Sequence, residues 1–159
     1  MATKSKTTKK PAGKFRLTYS TMFNPPEDLH TKYDKSLANV KASLGRDHAM
    51  MINGQDRFAA EKFEDRSPIN TDWLLGTFQK GSAQDAKDAI GAAEAAWPKW
   101  AGMKWKDRVR LLRKAAANIE KRVFEIGAVM SLEVGKNRME ALGDAQEPAE
   151  QTERRARGR

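Results

Sequence analysis

Val109, Leu112, Ala116, Ile119 and Val123 recur three or four positions apart. Successive residues of an α-helix are about 100° apart, so all five fall on one face and commit the second half of the chain to helix. Phe124, Ile126, Val129, Met130 and Val134 carry the pattern to Gly135, with a bend expected at Gly127. Glycine takes the left-handed conformation that closes a helix at little cost, so Gly135 is the expected cap. Lys136 and Asn137 then turn the chain, and Met139 to Glu147 starts a further helix. Upstream, Ser82 is a good N-cap with Asp85 three residues on. Ala86, Ala89, Ile90, Ala93 and Trp97 mark one face of the helix it opens, and Pro98 is expected to stop that helix. Trp97, Trp100 and Trp105 surround the turn into the long helix, which should begin near Lys106 or Asp107.

The first eighty residues read differently. Met1 to Lys14 is lysine, threonine and serine with almost nothing to bury, which predicts a disordered basic arm over 1–14. Phe15 to Tyr33 contains Asn24-Pro25-Pro26-Glu27-Asp28 and reads as a proline-stiffened, irregular stretch. Leu37, Val40 and Leu44 predict a short helix from Asp34 to Leu44, ended by Gly45. Met50-Met51-Ile52 runs into Asn53-Gly54, a pair that tolerates positive φ at both positions and so suits a two-residue hairpin turn. Phe58 and Phe63 are candidate strand positions beyond it, Ser67-Pro68 interrupts pairing, and Asp72 to Gln79 is the next strand.

The formal charge of +9 invites a nucleic-acid reading, but its distribution argues against one. Lys4, Lys6, Lys9, Lys10, Lys14 and Arg16 stand without an acid at one end. Arg154, Arg155, Arg157 and Arg159 stand against Glu153 at the other, and residues 17–150 balance. A second basic feature, Lys106, Arg110, Arg113, Lys114 and Lys121 on the long helix, carries no aromatic or amide base-readers and reads as a solvated face. Apolar runs are too short for a membrane span, and no signal-peptide core follows the basic start, so a cytoplasmic location is expected.

Chemistry is conspicuously scarce. The chain has no cysteine, hence no thiolate nucleophile, disulfide or thiolate-held metal. His30 and His48 lie in different segments, and nothing in their spacing to Asp28 or Asp47 demands a metal. Glu61, Glu64 and Asp65 form an acidic cluster that reads as a solvated turn or strand edge. No G-x-G-x-x-G, G-x-x-x-x-G-K-[ST] or G-x-S-x-G occurs, and no serine or threonine has a visible base.

The wording of the helical region is more informative than its chemistry. Ala89 to Trp97 (AIGAAEAAW), Trp100, Arg108 to Ala116 (RVRLLRKAA), Leu132 to Lys136 (LEVGK) and Glu140-Ala141 resemble the amino-terminal part of the aldehyde dehydrogenase superfamily. Ile52-Asn53-Gly54 and Ser67-Pro68-Ile69-Asn70 are similar to that family's early hairpin and S-P-x-N turn. Glu133 to Glu147 (EVGKNRMEALGDAQE), together with Asn24 to Asp28, resembles its 1-pyrroline-5-carboxylate dehydrogenase branch. That branch oxidises L-glutamate γ-semialdehyde to glutamate with NAD in proline breakdown. The resemblance covers about residues 15–147.

The resemblance implies an NAD-dependent enzyme whose cysteine nucleophile, glutamate base, oxyanion asparagine and dinucleotide site all follow the matched region. No catalytic or cofactor-binding residue is therefore carried over, and this chain is expected to be inactive and to bind no NAD alone. One residue is carried over: Glu147, on a helix that in the branch borders the aldehyde entrance, is the candidate substrate-channel residue.

The expected fold is a mostly helical α+β fragment, an extended region with a β-hairpin followed by three or four helices that in the intact fold would cover a Rossmann-like sheet. Without that sheet, the Ile90/Trp97 and Val109/Ile119/Val123 faces must pack on each other or stay exposed, and association is expected. At Pro148 the wording changes. Residues 148–159 read as a divergent Arg-rich tail in which proline breaks the last helix, the kind of ending that a shifted reading frame in GC-rich DNA yields. Two rival functions remain open: a non-catalytic module that docks on dehydrogenase subunits through its hairpin or apolar helix faces, and a nucleic-acid binder using the charged ends.

Overall fold

The computed structural model describes residues 25–156. The basic arm 1–14, the segment from Phe15 to Asn24 and residues 157–159 lie outside the described residues.

Helix α1 (Glu27–Lys41) follows the two prolines directly. Pro26 is extended at its N-cap, and Glu27 and Asp28 place negative charge in the first turn, where the helix dipole favours it. The stretch up to Tyr33 is thus helical rather than irregular. Burial explains the difference, because Leu29 and Tyr33 join Val40 on one covered face.

Three short strands follow: β1 (Arg46–His48), β2 (Met50–Ile52) and β3 (Gln55–Arg57). β2 and β3 pair antiparallel, with Met50 opposite Arg57 and Ile52 opposite Gln55. Their turn is the expected Asn53-Gly54, with φ of 53° and 74°. β4 (Lys62–Arg66) and β5 (Leu74–Gln79) form a second sheet with β1, in the order β1-β5-β4. β1 runs parallel to β5, and β4 antiparallel to it with Phe63 opposite Phe78. Phe63 is a strand residue as expected, whereas Phe58 lies outside every strand.

Helix α2 (Ala83–Gly102) starts with a full capping box: the Asp85 N–H donates to Ser82 Oγ, and the Ser82 N–H donates back to the Asp85 carboxylate. Pro98 does not stop it. The missing N–H orphans only the Glu94 carbonyl, and both residues are exposed, so water satisfies that group while the helix runs one more turn. Helix α3 (Trp105–Lys121) ends at Arg122, whose φ of −105° and ψ of 11° separate it from α4 (Val123–Val134). The break is therefore at Arg122 and not at Gly127. Gly127 has another task, since a Cβ there would lie 2.9 Å from Leu142 Cδ2 and its absence lets α4 and α5 close together.

Gly135 caps α4 at φ 71°, and α5 (Arg138–Ala156) follows. Pro148 lies inside α5, contrary to the expected break. Ala149 and Ala156, both beyond the lost bond's turn, are buried and continue the stripe of Ala141, Leu142 and Ala145, so tertiary packing carries the helix past the proline. α5 packs on both α3 and α4, and α1 packs on α4. The core is Leu29, Tyr33 and Val40 of α1, Val123, Ala128 and Leu132 of α4, and Leu142 and Ala145 of α5, with Trp73 and Leu75 against it.

Candidate functional site

The joint between α4 and α5 is tied down by side chains from both helices and from α1. Asn137 Oδ1 accepts from the N–H groups of Met139 and Glu140, 3.1 Å each, and so caps α5. Lys136 pairs with Asp144, eight positions further on. Arg138 reaches across to α1, donating to the Asp34 carboxylate, meeting His30 Nδ1 at 2.7 Å and lying 4.5 Å over the Tyr33 ring. The Tyr33 hydroxyl and Ser131 Oγ form a buried 2.6 Å hydrogen bond beside it. None of these α1 contacts has a local signal, because the partners are about a hundred positions apart in the chain.

Glu147 rides on α5 half a turn from the buried alanine stripe, which points it to solvent. Its carboxylate accepts a 2.6 Å hydrogen bond from Gln151. No other ionisable group is brought to it by the bonds of this joint, so the arrangement offers orientation rather than acid–base chemistry. A cavity of about 400 Å³ opens elsewhere, between α1 and the α3–α4 break. Lys32, Lys35, Lys121 and Arg122 line it with Glu125, but Lys32 is paired with Asp28 and Arg122 with Glu125.

The other candidates resolve into structural partners. His30 is held by Arg138, and His48 stacks on Phe78 at 4.8 Å. Among the described residues no group of three His, Cys, Asp or Glu side chains could hold a metal. Glu61 pairs with Lys80 and Glu64 with Arg66 along the outer strand β4, a solvated edge as expected. On the basic face of α3, Arg110 pairs with Asp107, Arg113 pairs with Glu153 and Lys106 lies over the Trp105 ring. No described helix is long and apolar enough to cross a membrane.

Sequence reasoning passed over Arg57. From the hairpin it reaches Asp85 at 3.0 Å and Asp88 at 2.5 Å and ties β3 to the first turns of α2. The Asp85 carboxyl is held down at about 2, chiefly by hydrogen bonds from the Ser82 side chain and backbone, then by Arg57. Asp88 is lowered too, first by Arg57. A carboxyl lowered on folding contributes stability that is complete above its ordinary value of 3.8 and disappears as pH falls through its folded value. The hairpin–α2 tie should therefore persist at pH 5 and release between about pH 4 and pH 2. The amide resonances of residues 82–88 report this directly, and in Arg57→Ala part of the change should already be present at pH 5.

The model of the aldehyde dehydrogenase family matches residues 56–157. A curated 1-pyrroline-5-carboxylate dehydrogenase of Staphylococcus epidermidis is 37% identical over 116 residues, which is 73% of this chain and 23% of that protein. Among solved structures, a Thermus thermophilus 1-pyrroline-5-carboxylate dehydrogenase superposes with a TM-score of 0.82 at 28% identity, covering 95% of this chain and 28% of that one. A Thermus 1-pyrroline-5-carboxylate dehydrogenase with bound NAD gives the same TM-score at 29% identity. The chain thus spans about a quarter of the length of the relatives it matches. With the family model covering most of the described helices and strands, the chain belongs to the aldehyde dehydrogenase family.

Proposed function

We propose that this chain is one portion of an NAD-dependent L-glutamate γ-semialdehyde (1-pyrroline-5-carboxylate) dehydrogenase, and that it does not turn over by itself. The observation that carries the reading is the superposition of 95% of the chain on a quarter of such an enzyme, by a sequence without any cysteine. An aldehyde dehydrogenation by covalent catalysis needs a nucleophile beside a base, and a chain without cysteine has no thiolate to serve as one. NAD belongs to the proposed whole. Glu147 belongs to it as a residue bordering the aldehyde channel, a reading supported by its solvent-facing place on α5. A cytoplasmic location is also part of the proposal, and cell fractionation reads it.

The test is NADH formation. Purified chain with NAD and L-glutamate γ-semialdehyde should give no absorbance change at 340 nm above background, and robust turnover would overturn the reading. A fusion in which the chain replaces the matched segment of the Thermus enzyme should gain semialdehyde-dependent NADH formation. Activity of that fusion on other aldehydes alone would assign the chain to a different branch of the family.

A second reading, docking onto dehydrogenase subunits through apolar helix faces, is favoured by one observation: α2 buries none of its twenty residues.

A further inference from the structure

The cavity between α1 and the α3–α4 break has two walls of like charge. Lys32, Lys35, Ser36 and Asn39 face it from α1, at the i, i+3, i+4 and i+7 spacing of one helix stripe. Lys121 and Arg122 face it from the other side, where α3 ends and α4 begins. Val40, 8% exposed, and the partly covered Phe124 supply an apolar lining. Four cations stand here against the single carboxylate of Glu125, within a stretch, 17–150, whose formal charges balance.

Two of those charges are already answered. Asp28 pairs with Lys32 at 2.6 Å, and the Glu125 carboxylate accepts from both Nε and Nη2 of Arg122. Lys35 and Lys121 differ, because no ion pair joins either to a carboxylate among the described residues. They stand on opposite walls, and like charges facing one hollow repel each other until an anion lies between them. The Ser36 hydroxyl and the Asn39 amide add uncharged donors on the stripe of Lys35. The Ser43 hydroxyl is already spent on the Val40 carbonyl.

This donor set selects among anions. A carboxylate is held best by the planar fork of an arginine, and the arginine here is engaged at two nitrogens by Glu125. What remains is two ammonium point charges, a hydroxyl and an amide, which suit a doubly charged group with three oxygen acceptors. That group is a phosphate monoester. At about 400 Å³ the hollow is of the size that takes a whole small molecule, and Phe124 and Val40 give the organic part an apolar surface to lie on.

We propose that the hollow between α1 and the α3–α4 break binds the phosphate monoester of a small ring-bearing molecule, with Lys35 and Lys121 on the phosphate from opposite walls and the ring against Phe124. A ligand held in this way ties the first helix to the middle of the chain. The site is separate from Glu147 and draws on no aldehyde chemistry.

Phenyl phosphate is the probe, titrated into the full chain and followed by amide resonances. The largest shifts should fall on residues 32–43 and 121–125. Inorganic phosphate and benzoate, which each lack half of the ligand, should bind roughly fivefold or more weakly. Lys35→Gln and Lys121→Gln should each weaken phenyl phosphate about fivefold. Both lysines are exposed, so circular dichroism should match the parent. Lys35→Arg, which keeps the charge, should retain the binding that Lys35→Gln loses. Lys87→Gln removes the same charge from the exposed surface of α2 and should bind as the parent does. Shifts spread along the basic face of α3, or a loss in Lys87→Gln equal to that in the cavity variants, would mean that the probe follows the overall charge of +9 and would sink the site. Inorganic phosphate binding as tightly as phenyl phosphate overturns the ligand class, as does benzoate. Parent-like binding by both glutamine variants, or no saturable binding of phenyl phosphate at all, overturns the proposal outright.

Discussion

Leu142→Ala is expected to lower stability by about 2–5 kcal/mol, toward the upper end of that range. Leu142 is 2% exposed and lies in the central cluster that joins α1, α4 and α5. The cost of such a truncation depends on how far the surroundings relax into the void. Here one wall is Gly127, which has no side chain to move in, and the backbone behind it is α4 itself. The same geometry predicts a strong coupling. Gly127→Ala alone drives a Cβ to 2.9 Å from Leu142 Cδ2, and so loses much of the helix-propensity gain of about 1 kcal/mol that alanine brings. In the Leu142→Ala background that clash is gone and the added methyl fills space, so the double variant should recover part of the loss. Urea denaturation followed by circular dichroism at 222 nm measures all three. A Leu142→Ala midpoint within error of the parent would show that the α4–α5 contact is not formed in solution.

Ser67→Ala should cost about 1–3 kcal/mol by leaving a buried acceptor without its donor. Ser67 is fully buried, and its hydroxyl donates a 2.6 Å hydrogen bond to the carbonyl of Leu132. That carbonyl is in the last turn of α4, where the helix provides no donor of its own. The serine also accepts from the Ile69 N–H at 3.3 Å, which shapes the turn between β4 and β5. One hydroxyl therefore pins the sheet to the end of a helix 65 positions away. The same denaturation experiment reads the loss, and near-ultraviolet ellipticity of Trp73, whose carbonyl accepts from the Ser67 N–H, should fall with it.

The features legible in the sequence were those written locally. Asn53-Gly54, the Ser82/Asp85 box and Gly135 each carry their conformation within a few residues, and each is in the structure where the sequence places it. The start of α1 was legible too and was misread: a proline pair followed by Glu27 and Asp28 is a helix-opening signal, and Leu29, Tyr33 and Val40 share a face. Pro98 and Pro148 mislead for a different reason. A proline forfeits one hydrogen bond and crowds one turn, and whether a helix survives that is decided by solvent at Pro98 and by packing at Pro148, neither of which is local. For α2 the periodicity is legible and its direction is not, so the sequence leaves open whether the face packs or stays exposed, and in the structure Ile90 and Trp97 are exposed. Spacing shows that Ile90 and Trp97 share a face, but only Arg57, from a different element, determines which way that face turns. Of the candidate site, Glu147 is exposed as a surface residue of α5 should be, and the Arg138 clamp on α1 had no trace in the sequence because its partners are over a hundred positions distant.

That clamp has a consequence for the order in which the protein can be made. Tyr33 waits for Ser131, 98 positions on, and His30 waits for Arg138, 108 positions on. During synthesis at about 5–20 residues per second, α1 leaves the ribosome roughly 5–20 seconds before the helix that buries it exists. Through that interval Leu29, Tyr33 and Val40 face water on a helix too short to persist alone. Its sheet and α2 emerge meanwhile, so the first element of the described chain is among the last to reach its place.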